Sequence, residues 1–261
     1  MTNTLRVATY NLGSAKHDGG AHERVLPQLE LLAGLGADVV AVQAAKNFHE
    51  DGLRMVYEAE RILGMRAVLV ESAHDDCHLL TLVRTDRVRI INEHNEQGDP
   101  FWHAAAGLHC EIDGKLVLIG HTHLAPFSHL KRAMEAPTLK AILKGSENVI
   151  MMGDWNSAPD NHPALEGLAD GKDDVTPDRE MRALGLHDVG AVWGDHTPTV
   201  HWDSPKGHRA NRIYTSLLPK ENPRMGVIAY RVVTDQHTAA PQDAPSTSRP
   251  VVVDLSMEYA V

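Results

Sequence analysis

Cysteine is nearly absent from this chain. Its two copies, Cys77 and Cys110, make neither a disulfide framework nor a metal-type spacing, and both read as reduced core thiols. Aromatic residues are also scarce, at 5%, so any core must be filled mainly by aliphatic side chains. No apolar run approaches the roughly 20 residues that a membrane-spanning helix requires. The segment Met1 to Leu5 has no basic stretch and leads into a strand-like run, so the expected location is cytoplasmic. A basic excess is lacking as well: 25 Lys and Arg face 35 Asp and Glu, a net charge of −10. Nucleic-acid affinity rests largely on neutralising phosphates. The balance therefore argues against a nucleic-acid partner and for a small-molecule substrate; it leaves protein partners open.

What the chain does have is alternation. Leu5 to Asn11 alternates and reads as a strand, and Asp38 to Gln43 reads as a buried one. Residues 22–35 place Val25, Leu29, Leu32 and Leu35 at helical spacing and close at Gly36. A helix is expected over 51–63, and then strands over 66–71, 78–84, 87–93, 101–111 and 115–121. Asp113-Gly114 supplies a hairpin turn between the last two. Further expectations are helices over 128–144 and 178–185, and strands over 148–152, 211–215, 226–233 and 250–257. The run from Asp235 to Arg249 reads as a long loop. Many strands with a few helices predict two packed, mostly antiparallel sheets with helices on the outer faces, an α/β sandwich in one domain over 1–261. Histidine is abundant, at 17 copies, yet apart from His121 and His123 most read as scattered surface residues.

The most informative stretch is Val149-Ile-Met-Met-Gly-Asp154-Trp155-Asn156. A β-type run ends at a glycine, and Asp154 and Asn156 then stand two positions apart, on one side of an extended chain. Together with Ala8-Thr-Tyr-Asn11, Asp38-Val-Val-Ala-Val-Gln43-Ala44, His121-Thr-His123-Leu124, Arg209-Ala-Asn211-Arg212 and Ser246 to Leu255, it resembles the endonuclease/exonuclease/phosphatase superfamily of DNase-like, metal-dependent phosphoesterases. The resemblance implies that fold, with Asn11, His123, Asp154 and Asn156 as the catalytic positions.

The same resemblance exposes departures. Ala44 stands where the family carries its main metal-binding Glu. Asn211 stands at an Asp, and Thr247 and Ser248 stand at the final Asp-His pair. A carboxylate stripped of its cation or its imidazole would be an uncompensated buried charge, so neutral replacements at all four positions form a coherent set. The expectation is a repurposed member of the fold: a metal-independent acid/base enzyme acting on a small organic molecule by cyclisation, elimination or isomerisation. No cofactor is expected, although residual Mg²⁺ binding stays open. His123 and Asp154 would move protons, Asn11 and Asn156 would orient the substrate, and Gln43, Trp155 and His201 would contact it, although Trp155 is most simply core and His201 most simply solvated. Two alternatives remain: a Mg²⁺-dependent phosphoesterase with relocated ligands, and a non-catalytic binding protein. Relocation could draw on Asp235 with His237, on His49 or Glu50, or on His121, His123 and Asp154.

Overall fold

The computed structural model describes residues 3–13, 21–163, 165, 168, 171–234 and 246–261. One sheet contains β1 (Thr4–Asn11), β2 (Val39–Lys46), β3 (Arg66–Val70), β4 (Cys77–Val83), β11 (Val227–Val232) and β12 (Val251–Ser256), in the order β11-β12-β1-β2-β4-β3. The other contains β5 (Val88–Gln97), β6 (Ala104–Ile112), β7 (Lys115–His123), β8 (Val149–Asp154), β9 (His187–Asp188) and β10 (Asn211–Thr215), in the order β5-β6-β7-β8-β10-β9. The pairs β1–β2 and β7–β8 are parallel, and the other pairings are antiparallel. A parallel pair needs a long crossover. Here α1 (Ala21–Gly34) joins β1 to β2, and α3 (His129–Leu143) joins β7 to β8. The remaining α-helices among the described residues are α2 (Arg54–Leu63), α4 (Thr176–Ala183) and α5 (Val189–Trp193).

Side-chain alternation builds three apolar layers. Leu5, Val7, Val39 and Ala41 meet Val117, Ile119, Ile150, Met152 and Ile213 between the sheets. The opposite faces of β1 and β2 carry Ala8, Tyr10, Val40 and Val42, which pack on Leu29 and Leu32 of α1 and on Val56 and Ala59 of α2. Val149 and Met151 of β8 pack in the same way on Leu139 and Ile142 of α3. The expected sandwich with outer helices is therefore the observed one.

The short elements β9 and α5 escaped the sequence reading. β9 has only two residues, and α5 has only five, too few to show a period. They are held in place by tertiary contacts. Asp188 accepts from the backbone N–H of Gly190 and Ala191, and it pairs with Arg209 through two bonds of 2.9 and 2.7 Å. Burial opposes the charged form of Asp188, but Arg209 outweighs it and holds the carboxyl below its usual range.

Parity along the strands also decides where the polar residues go. Continuing Leu5-Val7-Thr9 leads to Asn11, Val39-Ala41 leads to Gln43, Val117-Ile119 leads to His121 and His123, and Ile150-Met152 leads to Asp154. The inter-sheet space is thus apolar along most of its length and polar at one end. Just before Asp154, Gly153 has φ 155°, and a Cβ there would lie 2.0 Å from the carbonyl oxygen of Thr122. That oxygen is fixed in the β7–β8 ladder and has nowhere to retreat. Gly153→Ala is expected to lower stability by more than about 2 kcal/mol, read as a fall in the urea midpoint. A change below about 0.5 kcal/mol, the range of an innocuous surface substitution, would show that the ladder can yield.

Candidate active site

Asn11, at the end of β1, reaches across the sheet interface to Asp154. Its amide nitrogen donates to Asp154 Oδ2 at 2.8 Å and lies 3.5 Å from His123 Nε2. The amide orientation is set by Gly13, whose backbone N–H donates to Asn11 Oδ1 at 2.8 Å. Asp154 Oδ1 accepts from the backbone N–H of Asn156 at 2.9 Å. His123 and Asp154 are register partners in the parallel β7–β8 pair, and Asp154 and Asn211 are partners in β8–β10. Asn11, His123 and Asp154 therefore converge, and each is buried.

Asn156 sits in the left-handed region, with φ 49°, and its side chain turns away from Asp154. Its amide nitrogen donates to Leu124 O at 2.9 Å, while Lys172 Nζ donates to its Oδ1 at 3.0 Å and to Pro126 O at 2.8 Å. Asn156 thus ties the loop after β7 to Lys172, a cation that sequence reasoning did not single out. Gln43 is fully buried: its amide nitrogen lies 2.7 Å from His121 Nε2 and donates to Thr9 Oγ1 at 3.0 Å. Trp155 is a core residue, packed edge-on against Tyr214 at 4.8 Å. His201 is exposed on a turn, with its ring 6.2 Å from that of His208.

The positions where the family resemblance breaks down lie around the same end. Ala44 is buried with φ 56°, where β2 slips its register against β4. Thr247 is exposed, whereas Ser248 is buried and its N–H donates to Ser246 Oγ. Asp235 and His237 lie outside the described residues.

Among the described residues most histidines other than His121 and His123 are exposed or half-buried, as expected, but three are not. His78, His103 and His208 are buried, as are His121 and His123. The rings of His103 and His123 stack at 4.1 Å and 16°. Alternation could not have revealed His103: it precedes β6 at a parity that points to the outer layer. His208 lies outside any strand. Burial pushes the imidazolium pKa down to about 2 for His103, about 3 for His121 and His123, and about 4 for His208. For His103 and His123 a neighbouring imidazole adds to the effect.

A second group, His49, Asp76 and His78, brings its ligand atoms within 4.8 Å of one another. His78 Nδ1 accepts the Ser72 N–H at 2.9 Å, so its proton is on Nε2, 2.5 Å from His49 Nδ1. The two rings are thereby already paired with each other, and His78 offers no lone pair to a cation. Two surface cavities, of about 590 and 170 Å³, lie beside α2, away from Asn11, His123 and Asp154.

A two-sheet α/β sandwich whose polar residues gather at one set of strand ends is the architecture of DNase-like phosphoesterases. The sequence profile of the Endonuclease/Exonuclease/phosphatase family matches residues 8–233, and the chain belongs to that family. Among solved structures it is similar to an AP endonuclease from Archaeoglobus fulgidus, with TM-score 0.69, 14% identity, and 95% and 98% of the two chains covered. It is also similar to a mannosyl-6-phosphatase from Bacteroides thetaiotaomicron, with TM-score 0.67, 18% identity, and coverage of 95% and 98%. The human Nocturnin catalytic domain follows, with TM-score 0.65, 14% identity, and coverage of 98% and 95%. A search of curated proteins found no match.

The buried imidazoles set an acid limit on stability. Unfolded histidine titrates near 6.5, well above the folded values of about 2 to 3 for His103, His121 and His123. Below pH 6.5 the unfolded chain therefore binds more protons, and stability that is complete above that pH is lost on acidification. The slope is up to about 1.4 kcal/mol per pH unit for each histidine. Urea midpoints should fall steeply from pH 7 to pH 5, and His121→Gln should flatten the fall. A profile level across that range would contradict the buried neutral state.

Proposed function

We propose that this chain is a repurposed member of its family: a metal-independent acid/base enzyme for a small organic molecule. The observation that carries the reading is the donor set around Asp154. A hard divalent cation takes several oxygen ligands, usually with more than one carboxylate. Here both Asp154 oxygens accept N–H donors from Asn11 and Asn156, and Asn11 turns its amide nitrogen inward. Ala44 offers only a methyl group, and Asn211 is a neutral amide. These residues do not fit a resident Mg²⁺.

Within this reading Asp154 is the proton acceptor. His123 is neutral at physiological pH, since burial first, then His121 and Lys172, disfavour its charged form. Its Nε2 faces the Asn11 amide, so its hydrogen is on Nδ1 and can stabilise an oxygen that gains negative charge. A proton passes from the substrate to Asp154, the electron pair moves to an oxygen held by His123, and the proton returns to a different atom. That sequence is an isomerisation and consumes no water. Asn11, hydrogen-bonded to Asp154 and facing His123, keeps the two groups in fixed relation. The close burial of the same residues is the observation that favours the other reading, in which the cleft is vestigial and the surface binds a protein partner.

Calorimetric titration with Mg²⁺ and Mn²⁺ is expected to show no binding, and an aryl phosphodiester is expected to remain uncleaved at saturating metal. Tight Mn²⁺ binding lost in Asp154→Asn would overturn the proposal in favour of a relocated metal site. On a turned-over substrate, His123→Ala and Asp154→Asn should each lower kcat by at least about 100-fold. Ser248→Ala should leave it within a few-fold, because Ser248 is engaged through its backbone.

A further inference from the structure

Four buried polar atoms near Asp154 have no hydrogen-bond partner among the described residues: His103 Nε2, His123 Nδ1, His208 Nε2 and Asn211 Oδ1. They follow one cross-strand row. Ala104, next to His103, pairs with His123, His123 with Asp154, and Asp154 with Asn211. His208 lies three residues before Asn211 and, like His103, feels the Asp154 charge. Buried polar groups are nearly always paired, with protein, water or a ligand, so such a concentration at one place marks a candidate binding row.

Proton bookkeeping gives each atom its sign. The single hydroxyl proton of Ser72 goes to His74 O at 2.5 Å. Ser72 Oγ must then accept from His103 Nδ1, 3.2 Å away, which leaves His103 Nε2 as a bare lone pair. His208 Nδ1 lies 3.0 Å from Lys206 O, which can only accept, so His208 Nε2 is a lone pair too. The Asn211 amide nitrogen donates to Arg249 O at 3.4 Å, leaving Oδ1 as an acceptor. His123 Nδ1 alone is a donor. Burial keeps His103 and His208 neutral, with values of about 2 and about 4, so neither acquires a second N–H at physiological pH.

The row is thus three acceptors beside a carboxylate, with one donor. A fully ionised phosphate ester, which brings acceptors only, would find one hydrogen-bond donor in the row, at His123, and would face the Asp154 charge. An ammonium ion would meet the positive charges of Lys172 and Arg212, which act on the His208 ring. Hydroxyl groups bring donors without charge. We propose that this row binds a neutral, hydroxyl-rich organic molecule through that molecule's own O–H donors, in place of a phosphate ester. The proposal rests on the metal-free reading above and names its substrate class.

The test uses the full chain labelled with ¹⁵N-histidine and long-range ¹H–¹⁵N spectra. His103 and His208 should both carry their proton on Nδ1, the minor tautomer of free histidine. Methyl α-glucoside should shift their Nε2 signals, with ethanolamine weaker and inorganic phosphate at equal concentration without effect. His103→Phe and His208→Phe should each weaken the glucoside response at least tenfold while His78 stays unshifted. An Nε2–H tautomer at either ring would overturn the proposal, as would a stronger response to phosphate or to ethanolamine. Should a variant misfold, the tautomers and ligand order in the unmodified chain still decide. Metal binding in the calorimetric experiment would sink the metal-free reading itself. No metal binding combined with a preference for phosphate would sink only this inference.

Discussion

The arrangement turns on a carboxylate held between two sheets. Asp154 is buried, and an anion there without partners would be costly enough to protonate or to pull the strands apart. Asn11 supplies the remedy from the opposite sheet, with a hydrogen bond to a charged group that contributes about 1.5–3 kcal/mol. The backbone N–H of Asn156 supplies a second donor from within the turn. Because Asn11 also faces His123, one amide fixes the carboxylate, the imidazole and the spacing of the sheets at that end. Ser246 adds to this by donating its hydroxyl to Asn11 O, which docks the start of the final segment against β1.

Around that carboxylate the protein has gathered neutral groups. Ala44, Asn211 and Ser248 carry no charge, and burial keeps His103, His121, His123 and His208 unprotonated. The polar end of the sandwich therefore presents hydrogen-bonding groups more than net charge. Lys172 is the cation closest in bonding terms, and three protein oxygens hold it at the Asn156 turn. In a low-dielectric interior such fixed dipoles and lone pairs are effective because they need no reorganisation when a substrate arrives. Membership of a family of phosphatases and nucleases sets the scaffold; the chemistry is set by the side chains on it.

Much of this was legible in the sequence. Strand alternation in Leu5 to Asn11, Val39 to Gln43 and Val149 to Asp154 carried the sandwich, and the family resemblance implied that Asn11, His123 and Asp154 share one site. The physical reason they do is that a period of two puts a strand's last polar residue on the same face as its core residues. His103 was not legible: it stands outside its strand, and its parity points to the other face. His208 and Lys172 lie on irregular segments, where no period exists to be read. β9 and α5 are too short to register; pairing with β10, packing of Val189 and the Asp188–Arg209 pair hold them.

The sequence by itself determined the layers, the end of the sandwich where polar chemistry gathers, and the absence of charge at Ala44, Asn211 and Ser248, since these follow from residue identity and strand period. Only the tertiary structure decided which polar groups spend their hydrogen bonds on each other. It committed Gln43 to His121, Asn156 to Leu124 and Lys172, and Trp155 to the core, and it left His103, His123, His208 and Asn211 with unpaired atoms. Pairing depends on distances of about 3 Å between segments far apart in the chain, and no local pattern encodes those distances.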